Sequence, residues 1–209
     1  KRRSNEFALE MMPEFQKAVS SSDEPFETAM RLAIAGNILD WGAKAHTDIS
    51  EESVRKTLRE SLHQPLHRGS VQEVEQRVAD ADDILYLADN AGEIVLDRLF
   101  IEYIPCSEVT VAVKSHPAIN DATIKDAIDV KLTDMVPVIE TGSDTPGTVL
   151  EECSGEFLSR FTSADLIIAK GQGNYEALSE RPEEIVFLLK AKCPVVARDV
   201  GCEQGDLVL

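Results

Sequence analysis

Residues 84–97 read Ile84-Leu85-Tyr86-Leu87-Ala88-Asp89-Asn90-Ala91-Gly92-Glu93-Ile94-Val95-Leu96-Asp97. The apolar run, rich in β-formers, stops at Asp89-Asn90, and Gly92 follows. Ile94, Val95, Leu96, Leu99 and Phe100 then recur with a helical period, so the stretch predicts a strand, a loop and a helix. Two oxygen-bearing side chains therefore stand at the carboxyl end of a buried strand, where open α/β sheets bind their ligands. Asp89 and Asn90 form the centre of the candidate site.

Downstream the same alternation repeats. A helix over Val71–Ala79 precedes the Ile84–Ala88 strand, and further strands are predicted at Val109–Val113, Val136–Thr141, Leu166–Ala169 and Pro194–Ala197. Helices fall between them at Ala122–Ala127, with Asn120-Asp121 placed to cap, and around Val149–Phe161. Helix and strand in alternation predict an α/β fold with a largely parallel sheet. Each strand runs into a polar loop: Lys114, then Gly142-Ser143, then Lys170-Gly171-Gln172-Gly173-Asn174, then Arg198-Asp199. A parallel sheet puts those exits on one edge, so Asp89, Asn90, Lys114, Asp121, Ser143 and Lys170 converge although they are far apart in sequence.

Upstream the reading is helical. Phe7, Met11, Phe15 and Val19 recur at three- and four-residue steps, Ser20–Pro25 gives a turn and a helix start, and Ser50-Glu51-Glu52-Ser53 opens another helix. Between them Ala29, Ala33, Gly36, Asn37 and Asp40 form a small and polar stripe beside Met30, Ile34, Ile38 and Trp41. Two readings stand for that stripe: close helix packing with a capped end, or delivery of Asn37 and Asp40 to the active site. Pro65 and Gly69 then break the chain. The organisation is a helical accessory region over residues 1–75 and an α/β catalytic domain over residues 76–209.

Composition removes several functions. The 209 residues, 43% of them hydrophobic, are enough to build a core. No run approaches the roughly 18 apolar residues of a membrane span, and the first residues lead into a polar helix, so the expectation is a soluble, cytoplasmic protein without a membrane partner. With 21 Lys plus Arg against 38 Asp plus Glu, the formal charge of -17 opposes binding to nucleic acid or anionic membranes. An anionic substrate would require the protein to reverse its own field locally, with a metal or a few placed lysines. The four cysteines, Cys106, Cys153, Cys193 and Cys202, lack C-x-x-C spacing and read as reduced thiols. The oligomeric state leaves no trace in the sequence.

Asp89, Asn90 and Asp121 are hard oxygen donors suited to Mg²⁺ or Mn²⁺, and the four His do not mark a zinc site. The loops at Gly142-Ser143 and Gly171-Gln172-Gly173 let backbone N–H groups approach an anion, beside the point charge of Lys170. Metal, lysine and amides together are the equipment for a phosphate group. Singly, each element has a plainer reading: Asp89-Asn90 as a turn, Glu93 and Asp97 as favourable charges in a first helical turn, and His116 as a loop residue beside Pro117. The loop at Lys170 matches neither the P-loop nor the dinucleotide fingerprint.

The ordered set Asp89-Asn90-Ala91-Gly92-Glu93 with Asp97, Lys114 with Pro117, Asn120-Asp121-Ala122-Thr123 with Asp126, Gly142-Ser143 with Pro146-Gly147, and Ala169-Lys170-Gly171-Gln172-Gly173-Asn174-Tyr175-Glu176 resembles the metal-dependent damage-control phosphatase family. That family was long known only as a domain of unknown function, and this chain is similar to its archaeal or prokaryotic type. Ala33-Ile34-Ala35-Gly36-Asn37-Ile38-Leu39-Asp40 resembles the family's helical segment, so the match runs from roughly residue 25 to 202. The resemblance implies a three-layer α/β/α sandwich with a Rossmann-like sheet and an N-terminal helical region. It implies hydrolysis of phosphomonoesters of small, sometimes damaged metabolites, such as sugar phosphates or phosphopantetheine-type compounds, with a divalent ion (Mg²⁺, Mn²⁺, Co²⁺ or Ni²⁺).

By the same resemblance Asp89, Asn90 and Asp121 hold the metal, Asp89, Asp121 and Lys170 are catalytic, and Lys170 contacts phosphate. Gly171, Ser143, Asn174, Lys114 and Glu93 are the further substrate- or phosphate-binding candidates. Water attack and an aspartyl-phosphate intermediate both remain open. Two other classes stand beside this one: an S-adenosylmethionine-dependent protein carboxyl methyltransferase, and a non-catalytic metal- or metabolite-binding protein. The methyltransferase would need a Gly-rich first loop and an acidic end to the next strand, where this chain has Asp89-Asn90 and Lys114.

Overall fold

The computed structural model describes residues 1–39, 51–105 and 108–209. Asp40, Trp41 and Cys106 lie outside these. The chain begins with α1 (Arg2–Ser20), whose buried face carries Phe7, Met11, Phe15 and Val19, the periodic set of the sequence. Next come α2 (Pro25–Ala35), opened by its first-turn proline, a 3₁₀ turn at Gly36–Leu39, and α3 (Glu51–Ser61). After the short strand β1 (Leu66–His67), α4 (Val71–Asp80) starts at a capping box in which Ser70 accepts from the Glu73 amide and Glu73 accepts from the Ser70 amide.

The α/β alternation then runs β2 (Asp83–Leu87), α5 (Glu93–Ile101), β3 (Glu108–Val113), α6 (Ile124–Asp129), β4 (Val138–Glu140), a 3₁₀ turn at Leu150–Glu152, α7 (Gly155–Ser163), β5 (Leu166–Lys170) and α8 (Gly171–Leu178). It closes with β6 (Ile185–Lys190), α9 (Pro194–Val200) and β7 (Leu207–Val208). The sheet order is β1-β7-β6-β5-β2-β3-β4, parallel from β6 through β4, with β7 antiparallel to β6. This is the expected three-layer α/β fold with a largely parallel sheet.

Alternate residues of β2 divide between the two faces. Ile84 and Tyr86 enter the larger core with residues of α1 to α5, whereas Leu85 and Leu87 join Phe157, Phe161 and Leu178 on the opposite face. The N-terminal helices therefore share one continuous core with the sheet, and Phe26 of α2 meets Phe100 of α5 edge-on at a centroid distance of 5.3 Å.

Three expectations change in detail. Pro194–Ala197 is not a strand but the first turn of α9: Pro194 lacks the N–H a ladder would need, and the Cys193 thiol accepts from the Val196 amide as the helix cap. The neighbouring strand is β6, so Arg198-Asp199 lie within α9 rather than at a strand exit. The segment 149–161 splits into a 3₁₀ turn and α7, because Ser154 caps a new helix by accepting from the Phe157 amide. Finally, α6 is capped by a box between Thr123 and Asp126, which releases Asn120 and Asp121 for other work.

Candidate active site

The chain leaves β2 for β3 and β4 on one side and returns to β5 on the other, so the crevice between the exits of β2 and β5 is the sheet's switch point. Gly171 opens α8 there with φ +81°, and a Cβ at this position would fall on Asp89 Oδ2. The exit of β5 can therefore press against the Asp89 carboxylate only because residue 171 is glycine. The neighbouring loops meet equally closely: a Cβ on Gly147, itself at φ +74°, would overlap the Gly173 carbonyl.

Asp89, Asn90 and Asp121 come together through backbone hydrogen bonds. Asn90 and Asp121 form an antiparallel bridge; the Ala91 amide donates to Asn120 O (2.9 Å) and the Ala122 amide to Asp89 O (2.7 Å). Lys114, at the end of β3, donates to the Gly147 carbonyl and lies 3.9 Å from Asp121 Oδ2. Burial pulls its ammonium below the ordinary lysine value, opposed first by Asp121. Asp89 Oδ2 accepts from Asn90 Nδ2 (2.6 Å) and from Asn37 Nδ2 (3.0 Å), the latter carried in by the 3₁₀ turn after α2. Of the two residues in the second reading of the small and polar stripe, Asn37 thus reaches Asp89, and Asp40 lies outside the described residues.

Glu93, in the first turn of α5, joins this carboxylate to a buried cation. Its Oε2 accepts from Asn37 (3.0 Å) and Asn90 (3.4 Å), and its Oε1 from Lys170 Nζ (2.8 Å). The Lys170 ammonium, inaccessible to solvent, also donates to Asp97 Oδ1 (2.5 Å) and to the Ala33 carbonyl (2.9 Å), and Tyr86 Oη donates to the same Asp97 oxygen (2.8 Å). Burial opposes the Lys170 charge, but the combined effect of Asp97 and Glu93 overrides it and raises the ammonium above its ordinary value. For Asp97 burial prevails over the attraction of Lys170 and pushes the carboxyl up to about 6. Of the remaining predicted residues, Asn174 adjoins this centre, whereas the hydrogen bonds of Ser143 run within its own loop and to Glu152. Asn174 donates to Lys170 O (2.8 Å) and accepts from Thr148 (2.7 Å), and Ser143 Oγ accepts from the Thr145 amide (3.1 Å).

Tyr86 and Lys192 had no role in the sequence reading, and Asp97 entered it only as a helix-turn charge and a motif residue. Asp97 and Glu93 are four residues apart on α5, a spacing that puts both on the face receiving Lys170. Lys192 was obscured by the misassigned strand beside it. Burial first, then the Glu93 charge, drives the Asp89 carboxyl well above the usual carboxylate range; Lys192 is the leading cation opposing this, and Asp121 adds to the rise.

Among the described residues no three His, Cys, Asp or Glu side chains cluster as a metal cage. Asp89, Asp121 and Asn90 instead bring two carboxylates and an amide together. That set fits a hard divalent ion retaining part of its water shell. Two observations favour the fit: the Asp89 carboxyl is buried with the Glu93 and Asp121 carboxylates acting on it, and, among the described residues, Asn37 Oδ1 is buried without a partner.

The damage-control phosphatase ARMT1-like domain model matches residues 1–208. A damage-control phosphatase of Archaeoglobus fulgidus is 37% identical over 212 residues, covering 100% of this chain and 73% of that one. One of Pyrococcus horikoshii is 43% identical over 187 residues, covering 88% of this chain and 64% of that one. The crystal structure of a duf89 family protein from Pyrococcus horikoshii superposes with a TM-score of 0.84 at 38% identity, over 98% of this chain and 71% of that one.

Proposed function

Because the chain belongs to the damage-control phosphatase ARMT1-like family, we propose that it hydrolyses phosphomonoesters of small metabolites, sugar phosphates or phosphopantetheine-type compounds among them, with a divalent ion held by Asp89, Asn90 and Asp121. The observation that carries this reading is the Asn90–Asp121 bridge at the switch point, which ties the donors of two separate loops into one unit. A divalent ion bound there supplies Lewis-acid polarisation of a phosphoryl oxygen. The protein's own part is positioning. Glu93, fixed by Lys170, holds the Nδ2 groups of Asn37 and Asn90, and these in turn orient Asp89. Lys114 offsets charge at Asp121. Water attacks phosphorus and the alcohol departs, giving inorganic phosphate.

Asp89→Ala and Asp121→Ala are expected to lower phosphate release from an aryl phosphate by at least about a hundredfold, in line with loss of electrostatic stabilisation, and EDTA to abolish it. Full wild-type activity in EDTA would sink the metal assignment, and an acyl phosphate trapped on Asp89 or Asp121 would replace water attack by a phosphoenzyme route.

A further inference from the structure

The loops that carry Asp89-Asn90 and Asn120-Asp121 are joined to each other by the Asn90–Asp121 bridge. They are joined a second time from behind, by a side chain of the N-terminal helix that has no part in the sequence motifs. Asn5 of α1 is 2% exposed, and both ends of its amide are engaged. Its Oδ1 accepts from the Gly92 amide (2.6 Å), and its Nδ2 donates to Asp126 Oδ1 (3.0 Å). Gly92 is the N-cap residue of α5, directly after the Asp89-Asn90 loop, and Asp126 is the N3 residue of α6, directly after the Asp121 loop. One amide therefore ties together the starts of the two helices into which the candidate donor loops run.

The chemistry of the place asks for an amide. Gly92 offers an N–H and needs an acceptor, whereas Asp126 offers an oxygen and needs a donor. The other Asp126 oxygen accepts from the Thr123 amide (3.0 Å) and hydroxyl (2.7 Å) and lies 3.3 Å from Lys1 Nζ, which also reaches the Asp121 carbonyl. Burial opposes the Asp126 charge, but Thr123, Lys1 and Asn5 together hold the carboxyl below its ordinary value. A carboxylate at position 5 would keep the bond to Gly92 and set two buried like charges face to face. A methyl group there would leave the Gly92 N–H and the Asp126 oxygen without this partner.

We propose that Asn5 is a positioning residue of the metal site: by holding Gly92 and Asp126 at once, it sets the spacing between Asp89-Asn90 and Asp121. The assignment rests on the metal-dependent phosphatase reading and adds to it a task for α1. Groups that support a metal's ligands from behind fix their orientation and so govern how tightly the ion is held.

The test is calorimetric titration of Mn²⁺ into the folded protein, well below its melting transition, alongside the Mn²⁺ dependence of aryl phosphate hydrolysis. Wild type, Asn5→Ala, Asn5→Asp, the exchange Asn5→Asp/Asp126→Asn and the distant control Lys56→Gln are compared. Asn5→Ala and Asn5→Asp are expected to weaken Mn²⁺ binding by roughly ten- to hundredfold, the usual cost of losing a group that supports a metal's ligands. The Mn²⁺ concentration for half-maximal hydrolysis should rise in step, while turnover at saturating Mn²⁺ returns towards wild type. The exchange puts an acceptor against Gly92 and a donor against residue 5, so it should bind Mn²⁺ more tightly than Asn5→Asp; Lys56→Gln should match wild type. A merely structural role would lower the melting temperature and leave the Mn²⁺ affinity of the folded protein unchanged. Wild-type affinity in folded Asn5→Ala, or an exchange no tighter than a folded Asn5→Asp, overturns the inference; should Asn5→Asp fail to fold, Asn5→Ala decides alone. Mn²⁺ binding that depends on Asn5, in a protein hydrolysing no phosphomonoester, overturns the phosphatase reading and leaves the positioning role standing. A wild type that binds no Mn²⁺ overturns both.

Discussion

Asp97 is held by two opposed forces, and their balance sets a pH dependence. The Lys170 ammonium and the Tyr86 hydroxyl stabilise its charged form, while complete burial disfavours it and prevails, so the folded carboxyl titrates near 6 rather than 3.8. A carboxyl raised on folding binds its proton in the native state before the unfolded one. Its stabilising contribution is full below pH 3.8 and is lost as pH rises through about 6. Asp97→Asn cannot titrate. Between pH 4 and 6.5 the wild type should therefore lose about 2 kcal/mol relative to this variant. Denaturant melts of both proteins across that range check it; parallel pH profiles would show that Asp97 is charged throughout.

At the scale of elements, the loops decide the site more than the strands do. The turn from β5 into α8 combines φ +81° at Gly171 with contact against Asp89. Gly171→Ala is expected to cost about 1–3 kcal/mol of stability from the strained backbone alone, and to lower kcat/KM at least tenfold because the new methyl displaces Asp89; kinetics and thermal melts measure the two separately. The exits of β2, β3 and β5 were legible because each apolar run ends abruptly at a charged or amide residue, as at Leu87-Ala88-Asp89 and Ala169-Lys170. The strand β6 was not. Its run Ile185–Lys190 is apolar, but the following Pro194-Val195-Val196-Ala197 has as much β-propensity, and only the cap at Cys193 and the proline's missing N–H separate helix from strand. The buried partners of Lys170 were hidden for another reason. Glu93 and Asp97 look like ordinary first-turn acids of a helix, and only the packing of α5 against β5 turns them into a cage for an ammonium.

Taken whole, the molecule has one large core that runs from α1 through the sheet, and the site draws on both parts of it: Asn37 and Ala33 from the N-terminal helices, the rest from the α/β segment. The Phe26–Phe100 contact joins α2 to the helix that carries Glu93. Phe26→Ala is expected to cost about 3–4 kcal/mol and to lower the single melting transition of the entire molecule. Calorimetry and far-UV circular dichroism should report the same midpoint, whereas two separated transitions would show that the helices melt independently of the sheet. The contact between Gly171 and Asp89 has one more consequence, in time rather than space. The β2 and β5 exits are separated by some eighty residues of chain, and the crevice exists only once those two strands lie side by side. During synthesis Asp89 and Asn90 leave the ribosome long before the loop that encloses them, so a nascent chain not yet extended through Gly171 carries the carboxylate without its pocket, and the finished crevice marks a chain whose central strands have paired.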